Sequence, residues 1–504
     1  LYREGILPSG QPLRGELAGG AFLEGQAASC ASCHRPSGFG GVEGTVHIPP
    51  VVAPALFAPA SPDRQALFRP IFQETLSLPS RSRLLSLRER PAYIRDTLAA
   101  ALREGHDPAG RPFDAPMPRY RLDDRVLDHL LAYLQTLGTG PAPGVEETAL
   151  HFATVVTPGT DPDRRKAVLD VYDAWMRWKN ADIARRGKRP GSVTPMDEDL
   201  RFADRRRVLH VWELQGPPET WTRQLEDLER RRPVFAVLGG LGGPDDPWAP
   251  IHAFCESREI PCLFPQTDLP VAAPGSTTLY LSAGLTLEAE ALARHLRDTV
   301  PNLASQRVVQ VFRDTPASRT AADAFRRAMA AAGVQVKEGT EGEILVLWLG
   351  RDELATIDPG AARRIFLSSS LLGETVPALP DGWRDRAFLL HRRALPGEES
   401  PHAFRIRAWL RSRGVERRHE PLQLDAYYTL TLAEEAILRL AGHFSRDLFV
   451  ENVERETERM PNPGVWPQLV LTPGRRFASQ ACIVLRPAAN APGGVEQVSG
   501  WIVP

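Results

Sequence analysis

The spacing of apolar positions changes character once along this chain. In the first 140 residues the regular segments have a helical period. Residues 97–105 form one, and a second follows Leu122-Asp123-Asp124, with Leu127, Leu130, Leu131 and Leu134 on one face. The aspartates cap that second helix and Gly138 stops it. Asp107-Pro108-Ala109-Gly110 reads as a turn. From residue 149 short apolar runs alternate with helical ones. Strands are predicted over 149–156, 207–213, 234–238 and 261–264, and helices over 163–186, 218–232 and 247–258. The first of these helices places Val168, Val171, Tyr172, Trp175 and Trp178 at helical spacing. The series then repeats, with strands at 278–281, 307–312, 343–349, 364–367 and 386–391 and helices at 287–299 and 317–332. Such alternation predicts βαβ units, parallel sheets covered on both faces, and two α/β lobes of similar construction.

The change of period coincides with Gly138-Thr139-Gly140-Pro141-Ala142-Pro143-Gly144, a short Gly/Pro linker. At 504 residues the chain is too long for one small unit. The layout expected is an all-α domain at 1–138, a linker at 139–147, and a two-lobed α/β module at 148–504. Its first lobe covers about 148–280 and its second about 285–390, both completed by 391–504. A linker of about seven residues spans at most ~25 Å. It would keep the first domain beside whatever the lobes engage.

Basic and acidic residues number 61 and 62, so nothing suggests a nucleic-acid binder. No apolar run approaches the ~18 residues needed to cross a membrane as a helix. Lysine is confined to Lys166, Lys179, Lys188 and Lys337, so docking through arginine or apolar surface is expected rather than through a lysine ring. The arginine runs 205–207, 230–232 and 417–418 read as solvated faces.

Cys30-Ala31-Ser32-Cys33-His34 carries the clearest chemistry. Two thiols three positions apart can add to the two vinyl groups of a haem, and the histidine that follows then ligates the iron. A redox dithiol would not need the histidine, and a zinc half-site would need a second ligand pair. The cofactor expected is therefore one covalently bound haem c, with Cys30 and Cys33 as attachment points and His34 as proximal ligand. Met117 is the one methionine in the first 140 residues, and Pro116 and Pro118 hold its backbone extended, so it is the expected distal ligand. His47, His106 and His129 are rivals, with His47 the strongest. Covalent haem attachment takes place outside the cytoplasm, so a periplasmic location is expected. Leu1, with no initiator methionine before it, fits a chain whose signal peptide has been removed.

Over about 15–138 this pattern resembles the class I cytochrome c family. The likeness rests on the haem motif, 97–105 with its turn, the Met117 loop, and the final helix containing Ala132-Tyr133-Leu134. A long Pro-rich insertion around 46–91 departs from that family. Over about 148–504 the chain resembles the type I periplasmic binding proteins of the branched-chain amino-acid receptor group. That likeness is carried by 258–267 with its Pro-x-Thr turn, 328–336, Leu424-Asp425-Ala426-Tyr427-Tyr428, Gly474-Arg475-Arg476-Phe477 and 482–486. It implies three crossings between lobes, near 280–284, 389–393 and 446–450, and a ligand cleft between them. By position the cleft candidates are Gly242, Gly243, Trp248, Thr267, Ser282 and Asp314. The family's carboxylate-binding hydroxyls are missing after the third strand, where Asp245 and Asp246 would repel a carboxylate. Free amides of the glycines could still hold an anion. Cys255 and Cys262 read as a buried thiol pair or a disulfide, and Cys482 as packing.

The function expected is outer-sphere electron transfer without acid–base catalysis. The lobes would serve docking to a redox partner, such as a periplasmic dehydrogenase (a quinoprotein, for instance) or an oxidase, or the sensing of an unknown small molecule. The alternative is a periplasmic solute receptor with a redox-sensing haem domain. An enzyme would require an open distal site. If the lobes serve docking, deletion of 145–504 is expected to slow electron transfer from the donor while haem spectrum and potential stay the same. If they serve sensing, the donor rate is expected to stay intact.

Overall fold

Ala149–Val156 is buried at every position, as its unbroken apolar pattern requires, and it lies inside a six-stranded parallel sheet. The computed structural model describes residues 1–43, 46–60, 89–186, 204–272, 277–373, 379, 382–395, 400–488, 491 and 494–504. Most of the Pro-rich insertion expected around 46–91 therefore lies outside the described residues. In this first sheet the strands run in the order Phe477–Ser479, Thr278–Ser282, Cys262–Leu263, Ala236–Leu238, Ala149–Val156, Arg206–Glu213. Val155, Trp221, Trp248, Ile251, Phe254 and Tyr280 pack one of its cores.

The second sheet has seven strands, in the order Val336–Glu338, Val308–Phe312, Ile344–Trp348, Arg364–Ser368, Ala387–His391, Ile483–Pro487, Val495–Gln497. The first five are parallel and the last two antiparallel. Alternate side chains of Ile344–Trp348 point to opposite faces. Val346 and Trp348 enter one core and Leu345 and Leu347 the other. The predicted strands and helices all appear, mostly within a residue or two. The helix predicted over 218–232 is a 3-10 turn at Pro218–Thr220 followed by an α-helix at Trp221–Arg231.

Two ionic clusters are buried in this α/β part. Glu434 accepts from Arg207 Nε and Nη2 at 2.9 Å each and from Lys179 at 2.7 Å. Arg207 is 2% exposed, so the arginine run 205–207 is not a solvated face there. Arg230, by contrast, is solvent-facing. In the second cluster Arg392 pairs with Asp268 at 2.5 Å and Glu288 at 3.3 Å, and donates to the Ser370 hydroxyl at 2.9 Å. Its Nη1 lies 3.5 Å from the Ser282 hydroxyl, so the expected crossings 280–284 and 389–393 meet here.

By its contacts the chain divides into two units. One is Leu1–Val145 with Glu435–Asn452 and, of the described residues, Asp204 and Arg205; the other holds both sheets. The first unit has helices Cys30–His34, Ala53–Leu56, Arg95–Arg103 and Asp124–Thr136. Asp123 caps the last of these by accepting from the Val126 amide at 2.8 Å. Beside the helices lies a small antiparallel sheet of Arg14–Glu16, Phe22–Glu24 and Arg119–Tyr120. The distant segment Glu435–Asn452 completes this unit. Asp447 pairs with Arg3 at 2.7 Å, Phe39 meets the His443 ring at 5.0 Å, and Arg205 sits 4.3 Å over Phe444. The Phe444 carbonyl accepts the Ala142 amide at 2.9 Å. Glu435–Asn452 thus groups with the unit whose sequence-expected boundary lay at 138. Its contacts to residues 1–145 span from 302 positions (Ala142 to Phe444) to 444 (Arg3 to Asp447), where local sequence carries no sign of them.

Two predictions follow from this packing. A chain cut to residues 1–145 is expected to melt at a lower temperature than the whole protein. It should also lose hydrogen-exchange protection at 37–40, because Phe39, 1% exposed in the whole chain, loses His443. Equal protection in fragment and whole chain would show that Glu435–Asn452 is dispensable.

Glu288 predicts a pH dependence. Burial pushes its carboxyl from 4.5 up to about 7, against the pull of Arg392 and the Ser368 and Ser370 hydroxyls. The folded state then holds an extra proton between about 4.5 and 7. This contribution to stability is complete below that window and lost as pH rises through it. In denaturant melts Glu288→Gln is expected to gain on the wild type between about pH 5 and pH 8. A stability difference independent of pH would refute the assignment.

Candidate functional site

Ser29 opens the short helix Cys30–His34, its hydroxyl accepting from the Ser32 amide at 3.2 Å. One helical turn places both thiols and the histidine together. Cys30 and Cys33 are half-buried and bonded to no other cysteine, so both sulfurs are free for thioether formation. The His34 ring is buried, and its Nδ1 lies 2.9 Å from the Pro49 carbonyl. A carbonyl only accepts, so Nδ1 carries the proton and Nε2 keeps its lone pair for a metal. Burial also lowers the histidine's pKa, although the bond to Pro49 works the other way, and so favours the neutral ligating form.

The turn after the motif is tight. Arg35 has a φ of 67°, and the Gly40 amide returns to the His34 carbonyl at 3.0 Å. Gly40, at φ 69°, leaves no room for a Cβ, which would lie 2.2 Å from the Ile48 carbonyl oxygen. This close approach of 40 to 48 brings Pro49 beneath the histidine.

Met117 is half-buried in a turn closed by its own amide to the Asp114 carbonyl at 3.2 Å. The Arg119 guanidinium holds the Met117 carbonyl. Three residues beyond Met117, the Tyr120 hydroxyl donates to the Ala28 carbonyl at 3.0 Å, two residues before Cys30. The methionine loop and the thiol helix are thus tied together by a buried bond. His106 and His129 are exposed, whereas His47 lies in strand Val46–Ile48 with its side chain outside the described residues. The residues present fit a covalently held haem: two free thiols, one oriented neutral imidazole, and a thioether on a loop tethered to them.

The cleft candidates do not form a comparable set. The Gly242 amide donates to the Gln266 carbonyl at 3.0 Å and the Gly243 amide to the Thr157 hydroxyl at 3.0 Å, so neither is free for an anion. Trp248 is fully buried in the core of the first sheet. The Thr267 hydroxyl accepts from the Leu269 amide, Ser282 bonds the Gly284 amide, and Asp314 is exposed and paired with Arg319. Asp246 takes the Thr157 hydroxyl and, at 2.7 Å, the Gly159 amide. Asp245 accepts the Ala317 amide at 3.2 Å, at the first turn of helix Pro316–Ala331. Both carboxylates serve as internal acceptors. Cys255 and Cys262 are buried neighbours, and each other's proximity together with burial raises the Cys262 thiol's pKa.

Sequence reasoning missed Pro49, Tyr120 and Thr157. Only Tyr120, next to the methionine loop, could have been suspected from its position.

Residues 24–138 match the family model for cytochrome c. No curated protein sequence matches the chain. Among solved structures it is similar to a fatty acid ABC transporter substrate-binding protein from Thermomonospora curvata. That pair is 13% identical over 72% of this chain and 95% of that one, at a TM-score of 0.49. A branched-chain amino acid ABC transporter protein from Thermus thermophilus with bound valine is 13% identical over 71% of this chain and 97% of that one, at 0.47. A substrate-binding protein from Aeropyrum pernix is 14% identical over 71% and 97%, at 0.48. The two sheets, parallel but for the last pair of strands, make the chain beyond its linker an α/β fold. Cys30, Cys33 and His34 sit within residues 24–138, the segment that matches the cytochrome c family model.

Proposed function

We propose that this protein is an extracytoplasmic electron carrier with a single haem c, joined to a module that docks a redox partner. The observation that carries the reading is the buried His34 ring, tied through Nδ1 to Pro49 and left with Nε2 for iron. Cys30 and Cys33 would hold the haem, His34 would be its proximal ligand and Met117 its distal one. When bound, that group supplies an iron that takes up and releases one electron. The chain's own part is to hold the imidazole neutral and oriented and to keep the methionine loop beside the thiol helix through Tyr120. No acid–base step is required of any side chain.

Docking is favoured over sensing because the family's ligand-binding positions are spent internally. Both glycine amides, Asp245 and Asp246 already have partners within the chain. The partner proposed is a dehydrogenase or an oxidase in the same compartment. Among the described residues no helix is long and apolar enough to cross a membrane. The second reading is a solute receptor whose haem reports redox state.

Two outcomes test these readings. In the ferric protein, Met117→Ala is expected to abolish the weak far-red charge-transfer band of methionine-ligated haem and to lower the reduction potential, since a thioether ligand raises it. An unchanged spectrum and potential would exclude Met117 as ligand. In thermal melts, micromolar leucine or valine is expected to leave the midpoint unchanged. A ligand specific to the folded state would raise it by mass action, and a reproducible rise would favour the receptor reading.

A further inference from the structure

Arg35 follows the proximal histidine directly and holds a backbone conformation, φ 67° and ψ 158°, that only glycine adopts without strain. Another residue stays in that region only where its surroundings over-determine it. Two donors meet the Arg35 carbonyl, the Tyr2 hydroxyl at 2.8 Å and the Gly38 amide at 3.1 Å. The Gly38 carbonyl in turn accepts the Val51 amide at 2.7 Å. Two residues before Val51, the Pro49 carbonyl accepts His34 Nδ1 at 2.9 Å. These bonds close a ring that runs from His34 through Arg35, Gly38, Val51 and Pro49 back to His34. Tyr2 braces it from outside. Tyr2 is buried, its own carbonyl accepts the Ala31 amide of the thiol helix at 3.0 Å, and its ring packs 5.2 Å from that of Tyr133.

We propose that Tyr2 is a positioning residue for the proximal iron ligand: its hydroxyl holds the strained Arg35 peptide in the turn that keeps His34 bonded to Pro49. It acts through Arg35 and not on the iron. Without the hydroxyl, the Arg35 carbonyl keeps the Gly38 amide but loses its brace to the thiol helix, and the strain is free to relax by rotation of the peptide. That rotation carries the carbonyl away from Gly38 and draws the contact of Gly38 with Val51 along, so the bond from His34 to Pro49 loosens. The sign of the effect on the iron follows. An outer acceptor makes a ligating imidazole a stronger donor. A stronger donor favours ferric over ferrous iron, so loosening the bond raises the reduction potential.

The inference rests on the haem reading, and the experiment separates their failures. Tyr2→Phe in the full-length haem-loaded protein removes the hydroxyl but keeps the ring and the carbonyl that holds Ala31. A buried hydrogen bond is worth about twofold to tenfold in an equilibrium. Exchange of the His34 Nδ1 proton, followed by NMR in the reduced protein, is expected to quicken by that factor, since it reports opening of the bond to Pro49. Spectroelectrochemical titration is expected to show the ferrous form favoured about twofold to threefold, roughly 20–30 mV upward at 59 mV per decade for a one-electron couple. Arg35→Gly removes the strain, so in that background the same Tyr2→Phe change is expected to move both readouts less. If Tyr2→Phe alone yields no haem-loaded protein, recovery in the double variant with Arg35→Gly supports the proposal, and equal failure of the double variant overturns it. Unchanged exchange and potential in Tyr2→Phe also overturn it, as does a lower melting temperature as the only change. A wild-type protein that takes up no haem removes the haem reading, and the inference with it.

Discussion

A neutral imidazole has one N–H and one lone pair, and the bond from His34 Nδ1 to the Pro49 carbonyl fixes which nitrogen carries which. Much of the first unit can be traced to this requirement. Pro49 must come back beneath the motif, so the chain turns sharply at Arg35 and passes 40 against 48 at a distance only glycine tolerates. The thiols must share a helical turn with the histidine, so Ser29 caps that turn. The opposite wall must stay close, and Tyr120 holds it by a bond to Ala28. Each device uses a backbone carbonyl or amide as anchor, which fixes position without adding charge near the site.

The two sheets obey a different constraint. In an open parallel sheet the loops at the carboxyl ends part where strand order reverses, leaving a crevice that usually takes a ligand. The reversal in the first sheet falls at Ala149–Val156, flanked by Arg206–Glu213 and Ala236–Leu238. Its two diverging loops contain Thr157, Gly159 and the run 239–246. Here they are stitched to each other through Asp246 and closed on the second sheet's helix through Asp245. The amide at the start of that helix already has an anion, and the anion belongs to the chain.

The legible parts of this molecule were those whose cause is local. The alternation of apolar runs located the inner strands, such as Ala149–Val156 and Ile344–Trp348, because these are buried on both faces and must be apolar throughout. The haem motif and the capped helix after Asp123 were legible for the same reason: neighbours in sequence do the work. The cleft candidates were chosen by position along a resembling fold, and burial decides otherwise for Trp248, whose ring packs inside the sheet's core. Arg207 looked like part of a charged surface run, but its partner, Glu434, is 227 positions away. Arg3 and Asp447 are further apart still, at 444 positions. A hydrogen bond across such a separation leaves no periodicity, spacing or composition for a reader of the sequence to find.

Carboxylates in the α/β part divide into two kinds by what they accept. Glu434 takes only cationic donors, Arg207 and Lys179, and these hold its pKa below the usual carboxylate range despite burial. That pairing is an expensive arrangement whose loss on one side leaves a bare buried charge. Asp245 and Asp246 instead take backbone amides and a hydroxyl, which are fixed dipoles. A dipole-bound carboxylate keeps its charge uncompensated, so its field reaches its surroundings, whereas a guanidinium-bound one is largely neutralised. For a chain with almost equal numbers of acidic and basic residues, the placement of these uncancelled charges shapes the local electrostatics more than the net charge does.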